Sequence, residues 1–250
     1  MGATLSLLSV AVLLQPAAAL IKEKPIEEVI VTGTRTPVPA SEFAGPVSVI
    51  TADDIAARQL VRVVDALKSL PGVAVASGGG AGGQTQLRLR GSEANHVLVI
   101  IDGVEVNDPA GGDEFQFEHL STTEIERIEL IRGPLSTAWG SDAVAGVINI
   151  TTKKGGDTRF NVHSEAGSYG TYSVGGSVQT SGDGWHFNAG ADWRDISGFT
   201  AQVPGREDDG YENLSLNVRT GGQITPRFSL EASLRYEDTE NELDGFNLTG

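Results

Sequence analysis

Four histidines, His96, His119, His163 and His186, are the side chains best suited to acid–base or metal chemistry, and their spacing assembles neither. No His-Glu-x-x-His pair is present to build a zinc helix, and no Gly-x-Ser-x-Gly elbow is present to activate a serine. Each histidine reads as an ordinary surface or interior residue, and the chain as something other than an enzyme. Cysteine is absent, which removes disulfides, thiolate metal sites and cysteine nucleophiles and suits a compartment where free thiols are oxidised. The run Gly78–Gly83 fits Gly-x-Gly-x-x-Gly, yet a strand-like stretch follows it where a phosphate site needs a helix, so a flexible apical loop is the better reading. Acidic residues supply the remaining chemistry. Glu207 and Asp209, with Asp238 and Asp244 further on, present the carboxylate oxygens that a hard cation such as Ca²⁺ requires; a solvated acidic loop accounts for them equally well.

Acidic residues outnumber basic ones 33 to 18, giving a net charge of −15. A chain of that charge is a poor partner for nucleic acid, whose binding rests on neutralising phosphates. Glycine occurs 32 times in 250 residues without a Gly-X-Y period, which points to tight turns and close backbone approaches and away from collagen.

Three textures succeed one another along the chain. Leu5–Leu14 is apolar apart from Ser6 and Ser9 and leads through Pro16 into Ala17–Ala19, the pattern of a secretory signal over residues 1–19, although no Lys or Arg precedes it. The run is shorter than the roughly 20 apolar residues of a membrane-spanning helix. Residues 20–45 are polar and carry Pro25, Pro37 and Pro39 around one β-branched stretch, Val29–Thr32, and should be extended. Residues 46–153 show a mixed α/β pattern. Strands are expected at Val47–Ile50, Leu87–Arg90, Val97–Ile101, Ile128–Arg132 and Val147–Thr151. Thr51 with Asp54 forms a capping-box pattern, Val63–Leu70 a second helix stopped by Pro71-Gly72, and Ser121 with Glu124 a further cap.

Residues 157–250 change to sustained period-two alternation. Trp185, Phe187, Ala189, Ala191 and Trp193 fall on one side of a strand, with His186, Asn188, Gly190, Asp192 and Arg194 on the other. The same split recurs over 172–179, 213–219 and 228–237, with a weaker copy at Phe160–Ala166. Long strands with one greasy face, one charged face and aromatics near their ends are the pattern of a transmembrane β-barrel. Short turns are expected at Ser168–Gly170, Gly182–Gly184 and Thr225–Arg227, all periplasmic, and a long acidic extracellular loop at about Asp195–Glu212. The expected fold is therefore an α+β domain followed by the first strands of a large antiparallel barrel. Plugged transporters close with about 22 strands, so a piece of this length presents an unpaired edge.

Several stretches resemble the TonB-dependent outer-membrane receptors. Glu27-Glu28-Val29-Ile30-Val31-Thr32-Gly33 looks like the TonB box, and Ile131–Ile150 closely resembles the plug signature, with Trp139 where tyrosine is usual and Ala145 where glycine is usual. Leu70–Val73, Leu89–Gly91 and Val99–Val104 add to the likeness, and Asn95–Val99 leading into Asp102-Gly103-Val104 is most like the cobalamin-receptor branch. The resemblance implies a plug domain over 46–153, a bacterial outer-membrane location in contact with lipid, TonB as the energy-supplying partner gripping residues 27–33, and cobalamin as ligand. A ferric siderophore or haem is the alternative ligand; a passive porin or adhesin barrel and a soluble periplasmic binding module are the alternative classes. Carried over position by position, it brings Gln84, Gln86, Glu93, Gly111 and Gly112 to the ligand side, gives Arg90 and Arg132 the role of docking the plug to carboxylates of the barrel wall, and implies structural Ca²⁺ in the outer loops with no other cofactor.

Overall fold

The computed structural model describes residues 45–198 and 210–241 in full and residues 30–31 and 38–39 by their backbone. The expected signal at 1–19 lies outside the described residues. Two short strands, β1 (Ile30–Val31) and β2 (Val38–Pro39), pair antiparallel, Val31 opposite Val38.

The α/β unit begins with β3 (Val47–Thr51), whose last residue caps α1 (Ala52–Ala57). Thr51 Oγ1 accepts from the Asp54 amide at 3.2 Å and the Asp54 carboxylate accepts from the Thr51 amide at 3.0 Å, the reciprocal box that the sequence predicts. α2 (Val63–Lys68) presents Val63, Val64, Ala66 and Leu67 to the core and ends before Gly72, whose φ of +80° turns the chain. A hairpin of β4 (Val73–Ser77) and β5 (Thr85–Leu89) follows. β6 (Val97–Ile101) and β7 (Val104–Glu105) are joined by Asp102 and Gly103 with φ of 51° and 86°, both left-handed as a two-residue hairpin turn demands. β8 (Ile125–Arg132), the short helix α3 (Ser136–Trp139) and β9 (Gly146–Thr152) complete the unit. The five-stranded sheet has the order β3-β8-β9-β6-β7, with β6 and β9 parallel and the other pairs antiparallel. One face buries Val97, Val99, Ile128, Leu130, Ile148 and Ile150 under the two longer helices and the β4–β5 hairpin.

The second half is a meander of β10 (Arg159–Ala166), β11 (Thr171–Gly182), β12 (Trp185–Ile196), β13 (Tyr211–Thr225) and β14 (Phe228–Asn241), hydrogen-bonded in sequence order. β10 and β14 are the outer strands of this open sheet. The register keeps the expected faces apart on all five strands, with the contrast in burial carried by β11 to β13. Phe160, Val162, Tyr172, Val174, Trp185, Leu216, Leu230, Leu234 and Tyr236 are exposed on the outward face. Ser173, Asn188, Asp192, Asn213, Ser215 and Arg219 are buried on the inner face, because the α/β unit is seated there.

Two expectations are corrected. Antiparallel order puts the turn at 167–170 at the same end as the long 197–210 connection, and the Gly198 amide accordingly donates to the Tyr169 carbonyl at 3.1 Å. That short turn belongs with the long loop, and only the turns at 183–184 and 226–227 share the opposite end. Ser121 and Glu124 cap no helix: Ser121 Oγ pairs with Thr123 Oγ1 at 2.9 Å, the Ile125 amide closes a turn on the Thr122 carbonyl, and β8 starts at Ile125. Glu124 is drawn instead to the inner face of the meander.

Candidate functional site

The seam between the α/β unit and the meander is lined by polar side chains from both. At its lower end, beside the 153–156 linker, Arg219 on β13 reaches the hairpin tip between β6 and β7. Its Nη1 donates to Asp102 Oδ1 at 2.5 Å and to the Thr152 carbonyl at 2.8 Å. The Arg219 side chain is 8% exposed and that of Asp102 9%, so this is a desolvated ion pair. Asp102 also accepts from the Thr152 amide at 2.9 Å and from Thr152 Oγ1 at 2.6 Å. On its other side Arg219 donates from Nε to Glu231 of β14 at 2.7 Å, and a second bond to the same carboxylate comes from Nη2. Lys154 Nζ lies 3.4 Å from Glu231.

Midway along the seam, Glu124 enters a notch in the wall. A Cβ placed on Gly190 of β12 would lie 2.5 Å from Glu124 Cδ, so glycine is required for this approach. Burial pushes the Glu124 carboxyl above the ordinary carboxylate range, opposed by the charge of Lys153. Among the described residues, Glu124 Oε1 and both polar atoms of Asn188 are buried without a well-formed hydrogen bond, although the Glu124 carboxylate faces the Asn188 amide and the Ser177 hydroxyl. A cavity of about 250 Å³ adjoins them, bounded by Asp102, Thr152, Arg219, Ser233 and Arg235.

Near the long-loop end, His119 stacks on Tyr211 of β13 with ring centroids 5.8 Å apart, and His119 Nδ1 lies 3.2 Å from the Tyr211 hydroxyl. Asn241 Nδ2 donates to the Gly82 carbonyl at 3.3 Å, which places the glycine-rich loop against the same end of the wall. Burial also raises the Glu118 carboxyl, which accepts from the Thr85 amide at 3.2 Å. Within the wall, His163 Nε2 meets Asp192 Oδ2 at 2.7 Å, their side chains passing over Gly175 of the intervening strand.

The residues singled out from the sequence are distributed as follows. Gln86, Glu93 and the Gly111–Gly112 turn come together on the outer side of the hairpin. Gln86 Nε2 donates to Glu114 Oε2 at 3.0 Å, Arg88 donates to Gln86 at 3.3 Å and lies 3.6 Å from Glu93, and the Asp108 amide ties the Gly111–Gly112 turn to Glu114. Gln84 stands exposed beside them, its carbonyl accepting from Gly78. Arg90 and Arg132 are not brought to a wall carboxylate among the described residues. Arg132 donates to Ser48 Oγ at 2.8 Å, and burial together with the nearby Arg90 charge pulls its guanidinium below its usual pKa. The ion pair that does dock unit to wall has the reverse polarity: arginine on the wall, carboxylate on the α/β unit. Of the expected cation ligands, Glu207, Asp209 and Asp244 lie outside the described residues. Asp238, opposite Leu214, has outward parity on β14. Among the described residues no group of three or more His, Asp or Glu side chains is placed to hold a metal ion. Glu27, Glu28, Val29, Thr32 and Gly33 lie outside the described residues, and Ile30 and Val31 form β1. Sequence reasoning missed Asp102, Glu124, Arg219 and Glu231 as seam residues. Charge at inward-parity positions of β13 and β14 could have signalled Arg219 and Glu231, and the Asp-Gly turn Asp102; Glu124 had no such signal.

An α/β unit seated on the polar face of a long-stranded meander whose opposite face is greasy and open defines the class of plugged outer-membrane barrels. Residues 39–147 match the family model described as the TonB-dependent Receptor Plug Domain. The chain is 34% identical over 254 residues to the vitamin B12 transporter BtuB of Photobacterium profundum, covering 98% of this chain and 41% of that one. It is 31% identical to the vitamin B12 transporter BtuB of Vibrio vulnificus, covering 87% of this chain and 36% of the other. Among solved structures, the ferripyoverdine receptor of the outer membrane of Pseudomonas aeruginosa superposes with a TM-score of 0.71 at 18% identity, over 84% of this chain and 27% of that one. The siderophore receptor PirA from Acinetobacter baumannii gives 0.62 at 23% identity, over 78% and 32%. The chain belongs to the TonB-dependent receptor family of the bacterial outer membrane. It spans about two fifths of the length of the curated relatives it matches.

Proposed function

We propose that the whole protein imports a scarce, large nutrient across the outer membrane, with cobalamin as the ligand. One observation carries the import reading: among the described residues the plug meets the wall through desolvated polar contacts, above all Asp102 with Arg219. Polar contacts can be exchanged for water or for other polar groups, whereas a plug meant to stay fixed would bury apolar surface. In this reading residues 46–153 are the plug and 157–250 the first wall strands. The group of Gln84, Glu93, Gly111 and Gly112, all exposed, with the half-buried Gln86 meets the ligand. Calcium held by Glu207, Asp209, Asp238 and Asp244 orders the outer loops. Cobalamin is preferred to a ferric siderophore because the two relatives at 34% and 31% identity are vitamin B12 transporters. The siderophore receptors, at 18% and 23%, share the fold.

Energy comes from TonB, which grips residues 27–33. A short β-branched segment adds as a strand to a partner's sheet edge, its backbone supplying affinity without demanding particular side chains. Growth rescue by the full-length protein, with cobalamin set against a panel of iron chelates, tests the ligand; deletion of residues 27–33 should abolish energised uptake and leave ligand binding intact. Uptake that persists after the deletion would mark a passive channel.

A further inference from the structure

An ion pair buried in an interface normally resists separation, because the withdrawing partner leaves an uncompensated charge behind. The Asp102–Arg219 pair is built differently. On the wall side, Arg219 already holds Glu231 through two donors, Nε at 2.7 Å and Nη2. On the plug side, Asp102 already takes both the amide and the hydroxyl of Thr152, at 2.9 and 2.6 Å. If plug and wall part at this point, Arg219 keeps a carboxylate and Asp102 keeps two donors from its own domain.

We propose that Arg219 is the positioning residue that sets how readily the plug leaves the wall, with Glu231 as the carboxylate that takes over its charge on release. This rests on the reading that the plug moves against the wall during import. Arg219 divides its donors between a carboxylate that travels and one that stays. Strengthening the staying partner favours release, and weakening it favours docking. Glu231, with Lys154 Nζ 3.4 Å away, keeps a cationic neighbour in both states.

The distinguishing prediction is a pair of opposite effects. In the full-length detergent-solubilised protein, the urea concentration at which plug residues become open to protease, while the barrel keeps its folded gel mobility, reads plug release directly. Asp102→Asn should lower that concentration and speed cleavage several-fold at fixed urea. Glu231→Gln, which leaves Asp102 as the only carboxylate on Arg219, should raise it and slow cleavage by a similar factor. Two members of a merely structural network would shift it the same way. If Glu231→Gln does not yield a folded barrel, Glu231→Asp supplies the second arm: it draws the staying carboxylate back from Arg219 by one methylene and should also raise the threshold. A threshold that falls or stays level in the tightening variant overturns the proposal. The assay uses neither ligand nor TonB, so a failed import reading leaves its outcome intact. A failed release prediction likewise leaves the uptake experiment intact.

Discussion

The core of the plug and the seam around it lie a few residues apart and are held by opposite kinds of interaction. Ile128, Leu130, Ile148 and Ile150, each 0% exposed, pack within one apolar cluster, where each buried aliphatic side chain contributes roughly 1.5–3 kcal/mol. The seam instead presents Asp102, Glu118, Glu124, Asn188, Asp192 and Arg219, charged or polar and nearly all buried. Apolar packing is cooperative and loses heavily when any part is withdrawn, whereas a polar seam can re-pair group by group. The folding of the plug thus rests on the first kind of contact and its docking on the second.

The contrast makes different demands on substitutions. Leu130→Ala, deep in the core, should cost about 2–5 kcal/mol and unfold the plug at lower denaturant while the barrel keeps its folded gel mobility. Gly190→Leu attacks the seam from the wall: its Cβ would already lie 2.5 Å from Glu124 Cδ, and overpacking of this kind costs about 1–3 kcal/mol. It should loosen the plug, read as faster proteolysis of residues 46–153, without lowering the intrinsic stability of the plug core.

A pH effect isolates the seam further. Glu124 has its pKa raised in the docked state, by burial above all, against a reference of 4.5. Between that reference and the raised value the docked state holds more protons than the undocked one, so docking should weaken as pH rises through this window and be firmest below it. Lys153 opposes the shift and Asp192 adds to it. Glu124→Gln should flatten the pH dependence of plug protection in the same protease assay; an unchanged profile would assign it to other groups. The smallest effect belongs to neither region. Thr51→Ala removes the cap of α1 and should cost about 1 kcal/mol, measurable as a lower denaturation midpoint for the plug.

What could be read from residues alone followed the range of the interactions involved. Period-two faces were readable from Phe160 to Glu237 because the pleat of a strand dictates them locally. The Thr51–Asp54 box was readable because its partners are three residues apart. Ser121 and Glu124 carry the same local pattern and cap nothing, since Glu124 is claimed by a wall residue 66 positions away, from 190 − 124. The hairpin strand β4 was visible only as the motif Val73, being too short to show a period. Arg219 sits 117 positions from Asp102, and no local pattern announces such a pair. Loop length alone misplaces the 167–170 turn, because the strand order decides the end at which it falls.

The plug lies against the polar face of the wall strands, and the proposed import depends on that placement. No cysteine occurs in these 250 residues, and with any elsewhere in the full-length protein replaced by serine, a single introduced pair reports on the placement. Glu124→Cys with Gly190→Cys in the full-length protein, oxidised in isolated outer membranes, should give an internal disulfide that survives denaturation and shifts gel mobility until reduced. If the pair stays as free thiols while the barrel is folded, the plug is not seated where the structure has it, and the importer reading fails with it.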